Sequence, residues 1–564
     1  MLKIYPRQSV DRLDNKQDQL VLIILATLSV LAYFWSLGTN NIWTPNEGYY
    51  AEAIREMFES GNYWDIFYNY EPRYQKPPLF YWLIVISTKI FGLNEFAIRL
   101  PSVLTGLGTA FLTFRIGDFL HSKRLGYIAA MVLLFSFQFV INTRYASPAI
   151  SLTFFYTLTL YWFLKAYHLK NNGYLFAAYI ALGLTLLTKG YPYLIVIGSI
   201  ILLYTLFNVQ YDWREYFKKL IWMKLPLGIP LALLIGFSWI ASMWIINGNE
   251  FYEVFMNETF RRAFTKKSSL KPFFYLEANI WGFLPYSLVF FYALIHLAVT
   301  RFEALKKETV VQFSLAWFIV MLVIFTIAKG KIPTYFIQAH PGMSLLTAYF
   351  ILSYQPSKKW TKGLLNTFYF LPGILFTILS VGIVYLFNGF FLFYLIAILP
   401  LVGLFIGRKY QLEYLKLYSF PFTGIWSTYI LFAMIVLPYV EADYRNHDKI
   451  GEAILEGVPD KSIPLFVEDE DGLKMHNLPY YAQRKVNVHI PYEEMHEYNK
   501  EKPLLALIAA DKVNQFNNAE ILWTGNYYLD SEGKTLEFIL NVMKAKRGEP
   551  SEFAKYSVIY VPVD

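Results

Sequence analysis

Cysteine is absent from the chain, which excludes disulfides, thiol catalysis and cysteine-ligated metals and leaves the compartment open. Charge is also scarce: Asp, Glu, Lys and Arg make up 16% of the residues, against 56% hydrophobic ones. That balance excludes an ordinary soluble protein. Runs such as Leu20–Leu37 and Leu225–Ile246 reach the roughly 20 residues that cross a bilayer as a helix. They do not alternate in polarity, which excludes a transmembrane β-barrel. There is no internal repeat or low-complexity tract. The net charge of +8 gives no support to nucleic-acid binding; in a membrane protein it reflects basic loops facing anionic lipid. What the chain has in abundance is aromatic side chains, 45 Tyr and 14 Trp among them. Many stand near the ends of apolar runs, where such rings anchor helices at the interface.

The expected fold class is an all-α polytopic membrane protein with a C-terminal α/β domain outside the cytoplasm. The positive-inside rule resolves the apolar runs into about thirteen spans. The inner loops then hold Lys123/Arg124, Lys165/Lys170, Arg214/Lys218/Lys219, Arg301/Lys306/Lys307, Lys358/Lys359/Lys362 and Arg408/Lys409/Lys416. The N-terminal stretch, with Lys3, Arg7, Arg12 and Lys16, falls inside, and the first run reads as a retained signal anchor. This solution requires that Pro77–Phe91, too short for a span, stay at the interface. Residues 41–98 become one outer loop with an amphipathic helix at each end. The division is 1–440 for the membrane domain and 441–564 for the outer domain. In the latter Ser462–Val467 and Pro503–Ala510 read as buried strands and Lys534–Lys546 as a helix.

The outer loop carries the densest charge. Thr44-Pro45-Asn46-Glu47 opens a helix: Thr44 suits the N-cap, Pro45 the first helical position, and Glu47 completes a capping box. The same helix N-terminus offers positive potential and free N–H groups, where Glu47 orients a ligand or holds a cation. Glu52, Arg55 and Glu56 read as a solvated face with i,i+3 pairs. Lys76-Pro77-Pro78 puts a cation before a stiff break. It is either a snorkelling lysine or one held for a ligand. Lys189-Gly190 and Lys329-Gly330-Lys331-Ile332-Pro333-Thr334-Tyr335 repeat that theme at other span ends. Outer lysines run against the positive-inside rule, and together Lys76, Lys189, Lys329 and Lys331 suggest a pocket for an anionic lipid headgroup. Arg261 and Arg262 follow Asn257 and Glu258; they bind phosphate or pair with carboxylates. His168, His296 and His340 are scattered and read as structural.

WTPNEGYYAEAIREMFESG, then YQKPPLFYWL, FAIRLPS, LTKG and KGKIPTY resemble, in this order, the bacterial lipid A aminoarabinose transferase (ArnT) group, related to protein O-mannosyltransferases. These are GT-C glycosyltransferases of the inner membrane that use polyprenyl-phosphate sugars. The resemblance implies about thirteen spans, a cytoplasmic N-terminus and a periplasmic C-terminal domain, in line with the loop charges. It also implies that Lys76, Lys189 and Tyr335 contact the donor phosphate or sugar, with Tyr50 and Glu47 lining the same pocket. The polar positions depart from the family pattern. Asn46-Glu47 stands for Asp-Glu, Gln75 for Glu, Ser147-Pro148 for Asp-Pro, and Glu258-Thr259 for Glu-His. Gln75 and Thr259, where a divalent metal would be held, are poor ligands, so the sequence fixes no cofactor. Asn46 cannot act as a general base.

The expected activity is inverting transfer of an aminoarabinose- or uronic-acid-type sugar from a polyprenyl-phosphate donor to an envelope acceptor such as lipid A. Glu47, Asn46 and Lys76 form the catalytic set. Tyr50, Lys76, Lys189, Lys329, Lys331, Tyr335 and Arg262 hold the donor. Glu47 is the base if the acceptor is a hydroxyl, and none is needed for a phosphate. The competing readings are a protein O-mannosyltransferase-like enzyme acting on Ser or Thr, and a non-enzymatic lipid-phosphate transporter. A transporter would carry polar residues deep within its spans.

Overall fold

The computed structural model describes residues 27, 29–256, 271–328, 330–354, 359–402, 423–468, 476–488, 490–530 and 532–563. Helices dominate up to residue 443. Among the described residues four are long and apolar enough to cross a membrane: Glu95–Leu120, Thr309–Ile327, Lys359–Leu386 and Thr423–Asp443. Two bent helix pairs raise the count to six when each is taken as one span. Helix starts follow local chemistry. The Asn94 side chain accepts from Ala97 N at 2.9 Å, and Ser147 caps Pro148–Leu169, whose proline fills a position needing no N–H.

Several expected straight spans are broken. The apolar run over residues 125–143 bends by 69° between Lys123–Leu134 and Phe137–Thr143. The run over residues 279–299 falls on two helices, Phe274–Gly282 and Ser287–Val299, with Pro285 in the break. The run over residues 333–353 opens as a 3-10 turn over Pro333–Ala339 before His340–Ser353. Apolar composition marks such segments without reporting where proline or packing interrupts the helix.

Three helices frame the outer-loop segment: α1 (Asn46–Ser60), α2 (Leu79–Phe91) and α3 (Glu95–Leu120). The α2 helix has 13 residues, about 20 Å of rise, well short of a hydrocarbon core of roughly 30 Å. It begins after Pro78 and stops at Gly92, whose φ of 81° favours glycine. A short hairpin, β1 (Phe67–Tyr68) with β2 (Glu71–Pro72), lies between α1 and α2.

Beyond residue 443 the chain forms a five-stranded sheet in the order β4 (Val486–Val488), β3 (Leu465–Val467), β5 (Leu504–Ala509), β7 (Phe553–Val561), β6 (Glu520–Tyr528). Strand β3 runs parallel to β4 and β5, and β7 antiparallel to β5 and β6. The apolar β5 run LLALIA is buried on both faces. Leu505 and Leu507 enter one core, while Leu504, Ala506 and Ile508 enter the other. The helix Thr535–Lys546 contributes Phe538 and Val542 to a third cluster shared with Ile383, Leu431 and Val436.

The sheet region grips the outer loop. Asn69 Nδ2 donates to Val486 O and its Oδ1 accepts from Val486 N, both at 2.8 Å. Asn477 Nδ2 donates to Ile42 O at 2.6 Å, and Ile42 N donates to the Tyr481 hydroxyl at 2.8 Å. The Arg445 guanidinium lies 3.8 Å from the Trp43 ring centre and also pairs with Glu441 and Glu532. Gly48 lets the two backbones come close: a Cβ there would stand 2.7 Å from the His476 carbonyl carbon and oxygen. Because backbone opposes it, Gly48→Val should lower stability by about 1–3 kcal/mol, read as a fall in the thermal unfolding midpoint of the detergent-solubilised protein.

Candidate functional site

The α1 start departs from the capping-box geometry read from sequence. The N-cap position is Pro45, with no side-chain cap, and the Thr44 hydroxyl accepts instead from His476 N at 3.0 Å. Glu47 does reach back to accept from Trp43 N, at 2.9 Å. Its other partners come from far along the chain. Arg99 Nε and Nη2 donate to it at 3.0 and 2.8 Å, and Ala146 N at 2.6 Å. Arg99 also donates to the carbonyls of Leu37, Asn40 and Asn41. Glu47 is 0% and Arg99 2% exposed. With four donors on its two oxygens, the Glu47 carboxylate is a tertiary clamp with little room to accept a substrate proton.

Asn46, next to it, is exposed and lies near Tyr145. Tyr50 lies deeper than a pocket wall would. It is 4% exposed, with its ring 4.9 Å from Phe80 and 4.7 Å from Tyr81. The expected solvated face of α1 is also buried. Arg55 binds Glu52 through Nε and Nη2 at 2.7 and 2.8 Å and Glu59 at 2.8 Å. Glu56 Oε1 accepts from Tyr70 N, so the hairpin covers these groups. An i,i+3 spacing is the same whether the face meets water or a second layer, and only the hairpin and sheet decide between them.

Lys76, Lys189 and Tyr335 converge from three distant parts of the chain. The charges of Lys76 and Lys189 act on one another, and Lys189 Nζ stands 4.7 Å from the Tyr335 ring centre. Lys76 is held by the Pro77-Pro78 break before α2, and Lys189 is the last residue of the helix Asn172–Lys189. Lys189 thus lies against the Tyr335 ring and within the influence of the Lys76 charge. Lys331 takes no part in the pairing. Its ammonium donates to Thr326 O and Ala328 O at 3.0 and 2.8 Å, closing the end of Thr309–Ile327. Lys329 and Arg262 lie outside the described residues, as do Arg261, Glu258 and Thr259. Arg144 donates to the carbonyls of Ala32, Tyr33 and Trp35 and stacks on Tyr429. Among the described residues no three His, Asp or Glu side chains gather as a metal site, and Gln75 offers only a neutral amide.

Sequence reasoning missed Arg73. Its guanidinium lies 3.8 Å from the Tyr49 ring centre and 5.7 Å from that of Tyr68. The signal was a cation three residues before Lys76, set among Tyr68, Tyr70 and Tyr74.

Known proteins fix the relationship. Residues 75–241, which open on Gln75-Lys76 and include Lys189, match the dolichyl-phosphate-mannose-protein mannosyltransferase family. An uncharacterised protein of Aquifex aeolicus is 32% identical over 531 residues, 94% of this chain and 97% of its own length. The chain belongs to the GT-C superfamily of aminoarabinose transferases and protein O-mannosyltransferases. Undecaprenyl phosphate-alpha-4-amino-4-deoxy-L-arabinose arabinosyl transferase 1 of Proteus mirabilis is 30% identical over 59% of this chain. The chain spans 60% of that relative's length. The crystal structure of ArnT from Cupriavidus metallidurans bound to undecaprenyl phosphate matches with a TM-score of 0.73 at 19% identity. That match covers 96% of this chain and 98% of the other, so the superfamily fold extends through both the helical part and the sheet.

Two outcomes follow from the buried acids. Glu47→Gln leaves Arg99 uncompensated in the interior and should cost about 3–5 kcal/mol of stability, with activity falling as folded protein is lost. A Glu47→Gln protein of unchanged melting temperature that had lost only its rate would restore the base. Burial, with Glu52 adjacent, pushes the Glu56 carboxyl up from 4.5 to about 8. The folded chain therefore holds that proton where the unfolded chain has released it, and stability declines as pH rises through this window. Glu56→Gln should flatten the decline in melting temperature between about pH 5 and pH 8.

Proposed function

We propose that the chain is an integral-membrane glycosyltransferase that moves a sugar from a polyprenyl-phosphate donor to an acceptor at the outer face of the inner membrane, with lipid A as the acceptor. The proposal includes about thirteen spans, a cytoplasmic N-terminus, a membrane domain over 1–440 and a periplasmic domain over 441–564, supported by the basic loops on one side. The observation that carries the reading is Lys189, which stands against the Tyr335 ring and feels the charge of Lys76. The named relative in Proteus mirabilis uses an undecaprenyl-phosphate sugar, and the ArnT fold holds undecaprenyl phosphate.

The reaction asks little of acid–base groups. An acceptor oxygen attacks the anomeric carbon from the face opposite the leaving group. The bond between that carbon and the donor phosphate oxygen breaks, and the electron pair leaves with the phosphate. Configuration is inverted. The two ammonium groups neutralise the charge that grows on the leaving phosphate, a fixed electrostatic contribution. A phosphate acceptor arrives already anionic and requires no base. Because four hydrogen-bond donors already occupy Glu47, this acceptor fits the site better than a hydroxyl. Asn46, exposed at the start of α1, would hydrogen-bond sugar or acceptor without moving a proton.

Lys76→Ala and Lys189→Ala should each cut transfer from an undecaprenyl-phosphate sugar in liposomes by about 100-fold or more, with melting temperature retained. Undiminished turnover in either variant overturns the donor-phosphate assignment. Mass spectrometry of lipid A before and after incubation identifies the acceptor.

A further inference from the structure

The donor phosphate accounts for two lysines and leaves a third cation unexplained. Arg73 is set among rings. It stacks on Tyr49, stands near Tyr68, and the groups that act most strongly on its charge are the phenols of Tyr81, Tyr50 and Tyr49. Among the described residues no carboxylate lies within salt-bridge distance of it. Its Nε is buried and makes no hydrogen bond, and the polar group that comes nearest to its guanidinium is the neutral Tyr81 hydroxyl. The nearby imidazole adds no negative charge: burial and Arg73 itself push His476 down to about 4, so it is neutral at physiological pH.

An arginine so placed is costly. A guanidinium withdrawn from water needs an oxyanion to repay its lost hydration, and aromatic faces replace only part of it. The other arginines of this region are satisfied within the protein: Arg55 by Glu52 and Glu59, Arg99 by Glu47, Arg445 by Glu441 and Glu532. Arg73 alone in this set has an unused donor and neutral neighbours. The planar fork of arginine suits the two oxygens of a carboxylate or a phosphate, whereas lysine acts as a point charge.

Building on the glycosyltransferase reading, we propose that Arg73 binds a second oxyanion of the reactants, distinct from the donor phosphate, and so selects for a substrate pair that carries one. Two sources share this chemistry: the carboxylate of a uronic-acid-type sugar on the donor, and the phosphate of the acceptor. A sugar whose distinguishing group is an amine would face the cation unfavourably. On this view Lys76 and Lys189 serve any polyprenyl-phosphate donor, and Arg73 decides which sugar or acceptor is accepted.

The test compares kcat/KM in liposomes for wild type, Arg73→Lys and Arg73→Gln. The donors are undecaprenyl-phosphate linked to a uronic acid, a neutral hexose or aminoarabinose, and the acceptors are lipid A with and without its phosphates. Losing the fork should lower kcat/KM about 10- to 100-fold more for the reactant bearing the second oxyanion than for its neutral counterpart. Arg73→Lys should recover part of the Arg73→Gln loss. A bias that follows the sugar carboxylate assigns the oxyanion to the donor, and one that follows the lipid A phosphate assigns it to the acceptor. An equal loss on every substrate pair, with or without a lower melting temperature, overturns the inference and leaves Arg73 a structural residue. The wild-type arm separates the two claims, since a wild-type protein that transfers none of the sugars contradicts the glycosyltransferase reading itself.

Discussion

The ion pair between Glu47 and Arg99 is the constraint on which the outer-loop region depends. A carboxylate and a guanidinium, both withdrawn from water, are tolerable only when nearly every polar atom finds a partner. Here each does so by reaching separate pieces of chain. Glu47 takes the amides of Trp43 and Ala146, and Arg99 takes the carbonyls of Leu37, Asn40 and Asn41. One pair thus fixes the end of the first helical run, the start of α1, the top of α3 and the turn before Pro148–Leu169. Gly48, the next residue, brings α1 against the backbone of His476. The placement of α1 under the sheet region and of the loop leading to Lys76 follows from that anchor.

The division of labour that results separates structure from chemistry by charge type. Acidic groups of the loop are engaged internally: Glu47 with Arg99, Glu52 and Glu59 with Arg55, and Glu56 with the Tyr70 amide. The cations divide. Arg99, Arg144 and Lys331 close on backbone carbonyls, while the charge of Lys76 bears on Lys189. In the proposed reaction that positive potential is directed at an anion. The protein supplies that potential and the activated donor supplies the leaving group, so the reaction does not call for a carboxylate at Asn46 or Gln75.

Local signals in the sequence reported elements well and partners poorly. The strand read at Pro503–Ala510 is found at Leu504–Ala509, and the helix read at Lys534–Lys546 at Thr535–Lys546. Alternation and apolar runs depend on near neighbours, so they survive without tertiary knowledge. The short α2 segment was legible because length alone limits what crosses a bilayer. Lys76 and Lys189 stood out in the sequence because lysines on the disfavoured side of a membrane are conspicuous, and the charge of one does bear on the other. By contrast, the partner of Glu47 lies 52 positions away, and no spacing rule names it. Tyr50 looks like a pocket residue until Phe80 and Tyr81 cover it, and Lys331 looks like a ligand cation until the end of its own helix claims it. Arg73 was overlooked because a cation among tyrosines carries no motif, although its aromatic setting was there to be read.

The central claim, that Lys76 and Lys189 together hold a polyprenyl phosphate, is tested most directly by native mass spectrometry of the purified protein titrated with undecaprenyl phosphate. The account predicts a one-to-one adduct on the wild type that is lost when both lysines are replaced by alanine and the protein remains folded. An adduct of equal abundance on the double variant, or none on the wild type, would contradict it.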